Sequence, residues 1–432
     1  MTAPLPLWRG RVLAVLGILL CAFSLRSAVA SLSPVVDLMR DDFEVSSAVL
    51  GVIGTLPPAC FAVFGILTPM LERMLGIERL TVIALTAITA GLIGRGFAGD
   101  SIGLLIGTAV IFAGVGMANI LLPPLVKKYF ADRIGVMMTV YTATMAFSTF
   151  VPPLVAVPVA DALGWRFSLG MWAAFALAGV LPWLVMLFRP AVPSHADAPQ
   201  SSSRVRETAS DAPVFTATGP IATAPTNRRL FARLARIPLV WALALTFATS
   251  STMAYVSFAW LPSIMIDTAG VDAATAGFML SLWAFIGFPA GLIVPVLVVR
   301  FQATRPLFIV GVVGALVGLL GLLFFPRPEL LWLWMTLFGL IGLAFPLALV
   351  LISIRTRTPE SAVLLSSFVQ SAGYVLAAIF PLLVGVLHDA TGGWTIPIIA
   401  VAAVLVLTFP AGIVAGRRVT VEDEWERRHG RW

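Results

Sequence analysis

The chain is 432 residues long, 59% hydrophobic and only 11% charged, where a soluble domain carries about 25% charged residues. With a mean hydropathy of +0.99 it is built for lipid, which excludes a water-soluble enzyme or binding domain. The net charge of +7 invites a nucleic-acid reading, but the cations alternate loop by loop instead of forming one patch, so no nucleic-acid partner is expected.

In chain order, Trp8-Arg-Gly-Arg11 and the apolar run after it superficially resemble a signal peptide. The run is too long for one and shows no convincing cleavage site, so it reads as an uncleaved first helix. A membrane helix needs about 20 apolar residues. Such runs occupy 11–33, 47–70, 79–97, 102–126, 134–160 and 166–188, then 238–265, 273–299, 306–325, 330–354, 362–388 and 394–415. Continuous runs predict helices, not the alternating strands of a membrane barrel. The expected fold class is therefore an all-α membrane protein of twelve transmembrane helices. A six-helix bundle over 1–188 is followed by a linker over 189–236, a second bundle over 237–415 and a tail over 416–432. The linker is rich in Pro, Ser, Ala and Thr, has no apolar periodicity, and reads as largely disordered. All but five of the 28 lysines and arginines lie on the side that holds both termini. The exceptions are Arg26, Arg40, Arg95, Arg166 and Arg327. By the positive-inside rule, linker, tail and termini are cytoplasmic. Cys21 and Cys60 fall within spans and read as free buried thiols, since a disulfide would require the first two spans to align.

The two halves share a faint repeat. At an offset of 226, Gly51 matches Gly277, Gly65 matches Gly291, Pro69 matches Pro295 and Arg79 matches Arg305. Phe112, Gly116 and Ala118 match Phe338, Gly342 and Ala344, and three residues out of register Gly164-Trp165 matches Gly393-Trp394. Two parallel six-helix halves joined by a long loop resemble the major facilitator architecture. That resemblance implies alternating access about a midplane site, and it turns Arg26, Asn119, Tyr255 and Phe345 toward the pathway. The repeat is informative where it fails. Arg26 corresponds to Thr252 and Asn119 to Phe345, so the shared cavity is chemically lopsided.

Arg26 stands out energetically. It lies inside an apolar run, roughly 22 Å along the helix from Arg11, where a permanent cation is expensive. One reading makes it a donor fork for an anion or dipole. The other makes it a structural residue bonding carbonyls freed by Pro34, because Asp37 lies too far along for a direct pair. Asn119, Tyr141, Gln370 and Tyr374 are polar tips on apolar helices, and each serves either substrate or helix–helix bonding. Trp260 and Phe345 offer aromatic surface, while Trp332 and Trp334 suit an interfacial belt. Glu72, Arg73 and Arg79 in the second loop, with Lys127 and Arg357, read as gate charges. His388 with Asp389, at the outer end of span 11, is a candidate proton relay, with a capping role as its alternative. The sequence shows no Asp or Glu in the middle of any span, no metal-ligand cluster and no catalytic constellation, so neither a cofactor nor an enzyme is expected.

Within that superfamily the chain resembles the cyanate/2-nitroimidazole permeases. The resemblance is carried by Leu25-Arg-Ser-Ala-Val-Ala-Ser-Leu-Ser-Pro34, Ala118-Asn-Ile-Leu-Leu-Pro-Pro-Leu-Val-Lys127 and Gly164-Trp-Arg166. In the second half come Ala259-Trp-Leu-Pro262, Gln370-Ser-Ala-Gly-Tyr374 and Leu387-His-Asp-Ala-Thr-Gly-Gly-Trp394. It implies a monomeric carrier of small anions or small nitrogen-containing molecules in a bacterial inner membrane, with Arg26 and Asn119 on motif positions. Ser27, where Pro is common, and Ala118, where Gly precedes the Asn, are departures that resize the cavity. Efflux of small heteroaromatic drugs is the alternative within transport. A non-transporting receptor on the same fold is the alternative outside it.

Overall fold

Apolar runs of membrane length leave the backbone no partner but itself, so they fold as helices. The computed structural model describes residues 11–130, 132–188 and 233–429. It contains 12 helices long and apolar enough to cross a bilayer. The first half comprises α1 (Val12–Ala30), α2 (Ser47–Leu75), α3 (Ile77–Gly96), α4 (Ser101–Tyr129), α5 (Ile134–Leu163) and α6 (Trp165–Phe188). The second comprises α7 (Pro238–Ala269), α8 (Ala273–Phe301), α9 (Thr304–Phe324), α10 (Pro328–Ile354), α11 (Pro359–Thr391) and α12 (Thr395–Ala415). Each helix starts at the face where its predecessor ends, so α1 begins and α12 ends on one face, called here the near face. Residues 189–232 of the expected linker lie outside the described residues.

Local chemistry sets the helix ends. Side chains of Ser46, Asp100, Asp272 and Thr358 accept from backbone N–H groups three residues on, capping α2, α4, α8 and α11. Pro34 supplies no N–H, and α1 ends at Ala30 before a 3₁₀ turn (Ser33–Val35) and a short helix (Val36–Arg40). Asp37 pairs with Arg40 at 2.9 Å and not with Arg26. The tenth span is likewise broken at its middle by a 3₁₀ stretch, Leu340–Leu343, the kind of interruption that marks a hinge.

The repeat acquires a structural meaning at the far face. Trp165 Nε1 donates to Asp42 Oδ2 at 3.0 Å, and Trp394 Nε1 donates to Asp267 Oδ2 at 2.7 Å. Each half therefore ties its last span to the outer end of its first by the same bond. In the first half Arg166 joins the pair, and these two donors, Trp165 foremost, hold the Asp42 carboxyl below the ordinary carboxylate range.

The halves meet mainly through α2 against α11 and α5 against α8. Gly51 and Gly277, related by the repeat, both sit at this seam. A Cβ on Gly51 would lie 2.9 Å from the Leu382 Cα, and one on Gly277 would lie 2.7 Å from the Pro153 carbonyl oxygen. Thr55 Oγ1 donates to the Ala378 carbonyl across the halves at 2.7 Å. Fourteen residues further along each helix, toward the near face, a Cβ on Gly65 or Gly291 would meet nothing within 4 Å. The seam is closed at the far face and parted toward the near face.

The tail folds. α13 (Val421–His429) is anchored where Val421 N–H donates to the Arg355 carbonyl at 2.8 Å and Arg357 N–H donates to Glu422 Oε1 at 3.0 Å. The Arg357 guanidinium grips Asp423 and, at 3.1 Å, Glu426, and Arg233 lies over the Trp425 ring at 5.4 Å. Thr420 and Arg357 hold the Asp423 carboxyl down at about 2. A carboxyl lowered on folding adds stability above its unfolded pKa and gives it up as pH falls through the folded value. Hydrogen exchange of residues 421–429 should therefore be constant between about pH 5 and 8 once corrected for intrinsic rates. Arg357→Ala should speed it severalfold. Protection that fell steadily across that range would contradict the assignment.

Candidate functional site

A cavity of about 280 Å³ lies between the halves, just below the roughly 300–1,000 Å³ scale of drug-sized ligand pockets and so suited to a small solute. The first half contributes Arg26 from α1 and Thr142, Met145 and Thr149 from α5. The second contributes Ser250, Ser251, Tyr255 and Phe258 from α7, Gly287 and Gly291 from α8, Phe345 from α10 and Tyr374 from α11. The wall is mostly apolar, with hydroxyls from both halves and the two tyrosines beside Arg26 as its polar groups.

Arg26 is half-buried and is directed at the phenol hydroxyls of Tyr255 and Tyr374. Its guanidinium carbon lies 5.9 Å from the Phe61 ring centre. Phe61 packs edge-on against Tyr374 at 5.4 Å and Tyr255 at 6.4 Å, and Phe247 closes the cluster at 5.1 Å from Tyr374. Among the described residues no carboxylate forms a salt bridge with Arg26. A cation–π contact contributes about 0.5–2 kcal/mol, and two neutral hydroxyls add about 1.5–3 kcal/mol each at most. Withdrawing a guanidinium from water costs several kcal/mol even after relaxation. These gains are of the same size as the cost, so the ring and hydroxyls hold the charge without a carboxylate, and Arg26 still faces a cavity that can admit an anionic or dipolar group.

Of the eight residues expected at the substrate, Arg26, Tyr255, Phe345 and Tyr374 come together on this wall. Asn119 and Tyr141 are buried in α4 and α5 and do not line it. Trp260 lies at the far end of α7, where its Nε1 donates to the Pro381 carbonyl at 2.8 Å and its ring packs 5.6 Å from Trp394. Gln370 turns along its own helix to donate to Ser366 Oγ at 2.8 Å.

Among the described residues Glu72, Arg73, Arg79 and Lys127 form no salt bridge. Near-face pairs nearby are Lys128 with Glu78 and Arg11 with Asp132, both at 2.5 Å. Arg357 anchors α13 instead of standing free. His388 stacks 4.1 Å from Trp394 and lies 3.5 Å from the Asp389 carboxylate, at the far face and off the cavity.

Two groups escaped the sequence reading. Ser250 and Ser251 face the cavity, and Ser251 Oγ is buried without a partner. Their signal was the run Thr249-Ser-Ser-Thr252, four hydroxyls in succession inside a span. Arg95, counted above only as a cation on the side opposite the termini, is fully buried at the end of α3. It donates to the Ala28 carbonyl, near the end of α1, at 2.9 Å.

The fold is matched by a solved structure, a bacterial homologue of the human lysosomal transporter Spinster in an inward-facing, unoccupied conformation. Its TM-score is 0.72 at 14% identity, over 96% of this chain and 98% of that one. The sequence profile of the Major Facilitator Superfamily matches residues 18–363. The chain belongs to the major facilitator superfamily. It is 33% identical over 422 residues to the protein named uncharacterized transporter YycB of Bacillus subtilis, covering 96% of each. It is 31% identical over 411 residues to the 2-nitroimidazole transporter of Escherichia coli, covering 95% of this chain and 96% of that one. It is 24% identical over 403 residues to the cyanate transport protein CynX of Escherichia coli, covering 91% and 96%. The protein is a multi-pass membrane transporter of this permease type.

Proposed function

We propose that the protein carries a small anionic or polar nitrogen-containing solute, cyanate-like or nitroimidazole-like, across the bacterial inner membrane by rocker-switch alternating access. The observation that carries this reading is Arg26, a cation outside any salt bridge of the described residues, in a mostly apolar cavity at the seam between the halves. The relatives named for 2-nitroimidazole and cyanate support the substrate class. Both solutes are small, and each offers an acceptor to a guanidinium fork.

The near face is read as cytoplasmic from its basic loops, so the conformation described is inward-open. Glu72, Arg73, Arg79 and Lys127 are then gate charges that engage when that face closes. The aromatic wall of Phe61, Tyr255, Tyr374 and Phe345 supports a second reading, in which a neutral heteroaromatic compound stacks there and Arg26 only orients it.

Thermal unfolding of the purified protein with cyanate and with 2-nitroimidazole, repeated in Arg26→Ala, separates the two. Under the anion reading cyanate raises the midpoint of the wild type, and the variant loses that shift. A shift from 2-nitroimidazole alone, retained in the variant, would reject the anion site.

A further inference from the structure

Arg95 is a fully buried cation outside any salt bridge of the described residues, and the transport reading does not use it. Its Nη1 donates to the Ala28 carbonyl and its Nη2 reaches Ser31 Oγ at 3.4 Å, while Nε has no hydrogen-bond partner. Capping the end of α1 explains the first bond. It does not explain the charge, because a neutral amide could cap the same carbonyl with a much smaller desolvation cost.

Beside Arg95 lies a void of about 20 Å³, room for about one water. Its walls come from both halves. Ser33, Gly54 and Pro57 stand with Arg95 on one side, and Tyr255 and Phe258 on the other. Ser33 Oγ is buried and, like Arg95 Nε, unpartnered. Tyr255 and Phe258 also wall the main cavity. Two arginines therefore flank one tyrosine in series along the seam, with Arg95 on its far-face side, behind the contact that Gly51 and Gly54 make with α11.

We propose that Arg95 is an outer anion-binding site. When the far seam parts, the void opens into a vestibule where Arg95 and Ser33 take a small anion and pass it beside Tyr255 to Arg26. The inference rests on the reading of Arg26 as an anion site. Two weak sites in series suit a carrier, since binding must be favourable enough to admit a solute and weak enough to release it.

The test compares Arg95→Gln, which keeps an amide donor for Ala28, with Arg95→Lys, which keeps the charge. Cyanate flux is measured in vesicles of both orientations. In parallel, a Ser33→Cys thiol is challenged from the far face with anionic and cationic methanethiosulfonates during turnover. Arg95→Gln should raise KM for entry from the far face about tenfold and leave entry from the near face nearly unchanged, while Arg95→Lys stays close to wild type. The anionic reagent should outpace the cationic one, and Arg95→Gln should abolish that lead.

Equal KM changes at both faces, or none, would reduce Arg95 to a cap for α1. Equal reagent rates, or no reaction during turnover, would remove the void from the pathway. Flux lost in Arg26→Ala but untouched in Arg95→Gln overturns this inference alone. Absence of cyanate flux in the wild type overturns the Arg26 reading, and with it this inference, which rests on that reading.

Discussion

Arg26→Ala should weaken binding of the transported anion by about a hundredfold or more, and Arg26→Lys by about tenfold. A charge-assisted bond contributes about 1.5–3 kcal/mol, and a guanidinium fork makes two of them in one plane. Alanine removes both bonds and the charge. Lysine keeps the charge as a compact ammonium but cannot present two parallel donors. Neither change should unfold the protein, because Arg26 is half-buried against a cavity and is not locked in an ion pair. Titration calorimetry reads the affinity, and counterflow in proteoliposomes reads the transport. Wild-type affinity in both variants would sink the anion site, above all if Tyr374→Phe lost it instead.

Much of the fold was legible because membrane spans are a matter of composition over about 20 residues. The repeat was legible too, and its least conspicuous members proved the most structural. Gly51 and Gly277 are the close-contact points of the seam, and Trp165 and Trp394 are the matching far-face ties. Arg26 could be picked out because a cation among hydrocarbon needs no tertiary information to be anomalous. Asn119, Gln370 and Trp260 were harder for a definite reason. A helix that is apolar all round has no polar stripe to tell the cavity side from the lipid or bundle side. Arg95 was counted only for its side of the membrane, because sequence does not tell whether a cation in the last turn of a span is exposed or buried. Only packing brings it to Ala28, 67 positions away. The fold of α13 was hidden by its charge, which reads as a tail until Arg357 is placed opposite Asp423 and Glu426.

Gly51→Val combined with Gly277→Val should drive the carrier out of the conformation described here and into one open at the far face. The atoms that a new Cβ would meet are backbone, the Leu382 Cα and the Pro153 carbonyl oxygen, so the strain is relieved only by separating α2 from α11 and α8 from α5. Overpacking costs about 1–3 kcal/mol per site. The two sites lie on different helix pairs, so their effects should roughly add. A sum of about 2–6 kcal/mol shifts a two-state population by a factor of about 30 or more. Gly65→Val with Gly291→Val is the opposite control. Gly65 and Gly291 lie fourteen residues, about four turns, further along the same helices, in the part of the seam that is open. The added methyls are free in this conformation and collide only when the near face closes, so that variant should be held as it stands. Spin labels on cysteines replacing Phe97 and Phe325, exposed at the far ends of α3 and α9, report the change as a distance between the halves. The first double variant should lengthen that distance and the second should narrow its distribution about the short value. An unchanged distribution in a folded Gly51→Val, Gly277→Val protein would show that these contacts do not set the equilibrium. Identical shifts in both variants would contradict rocking about a central site, because one rigid rotation cannot open both ends of the same seam.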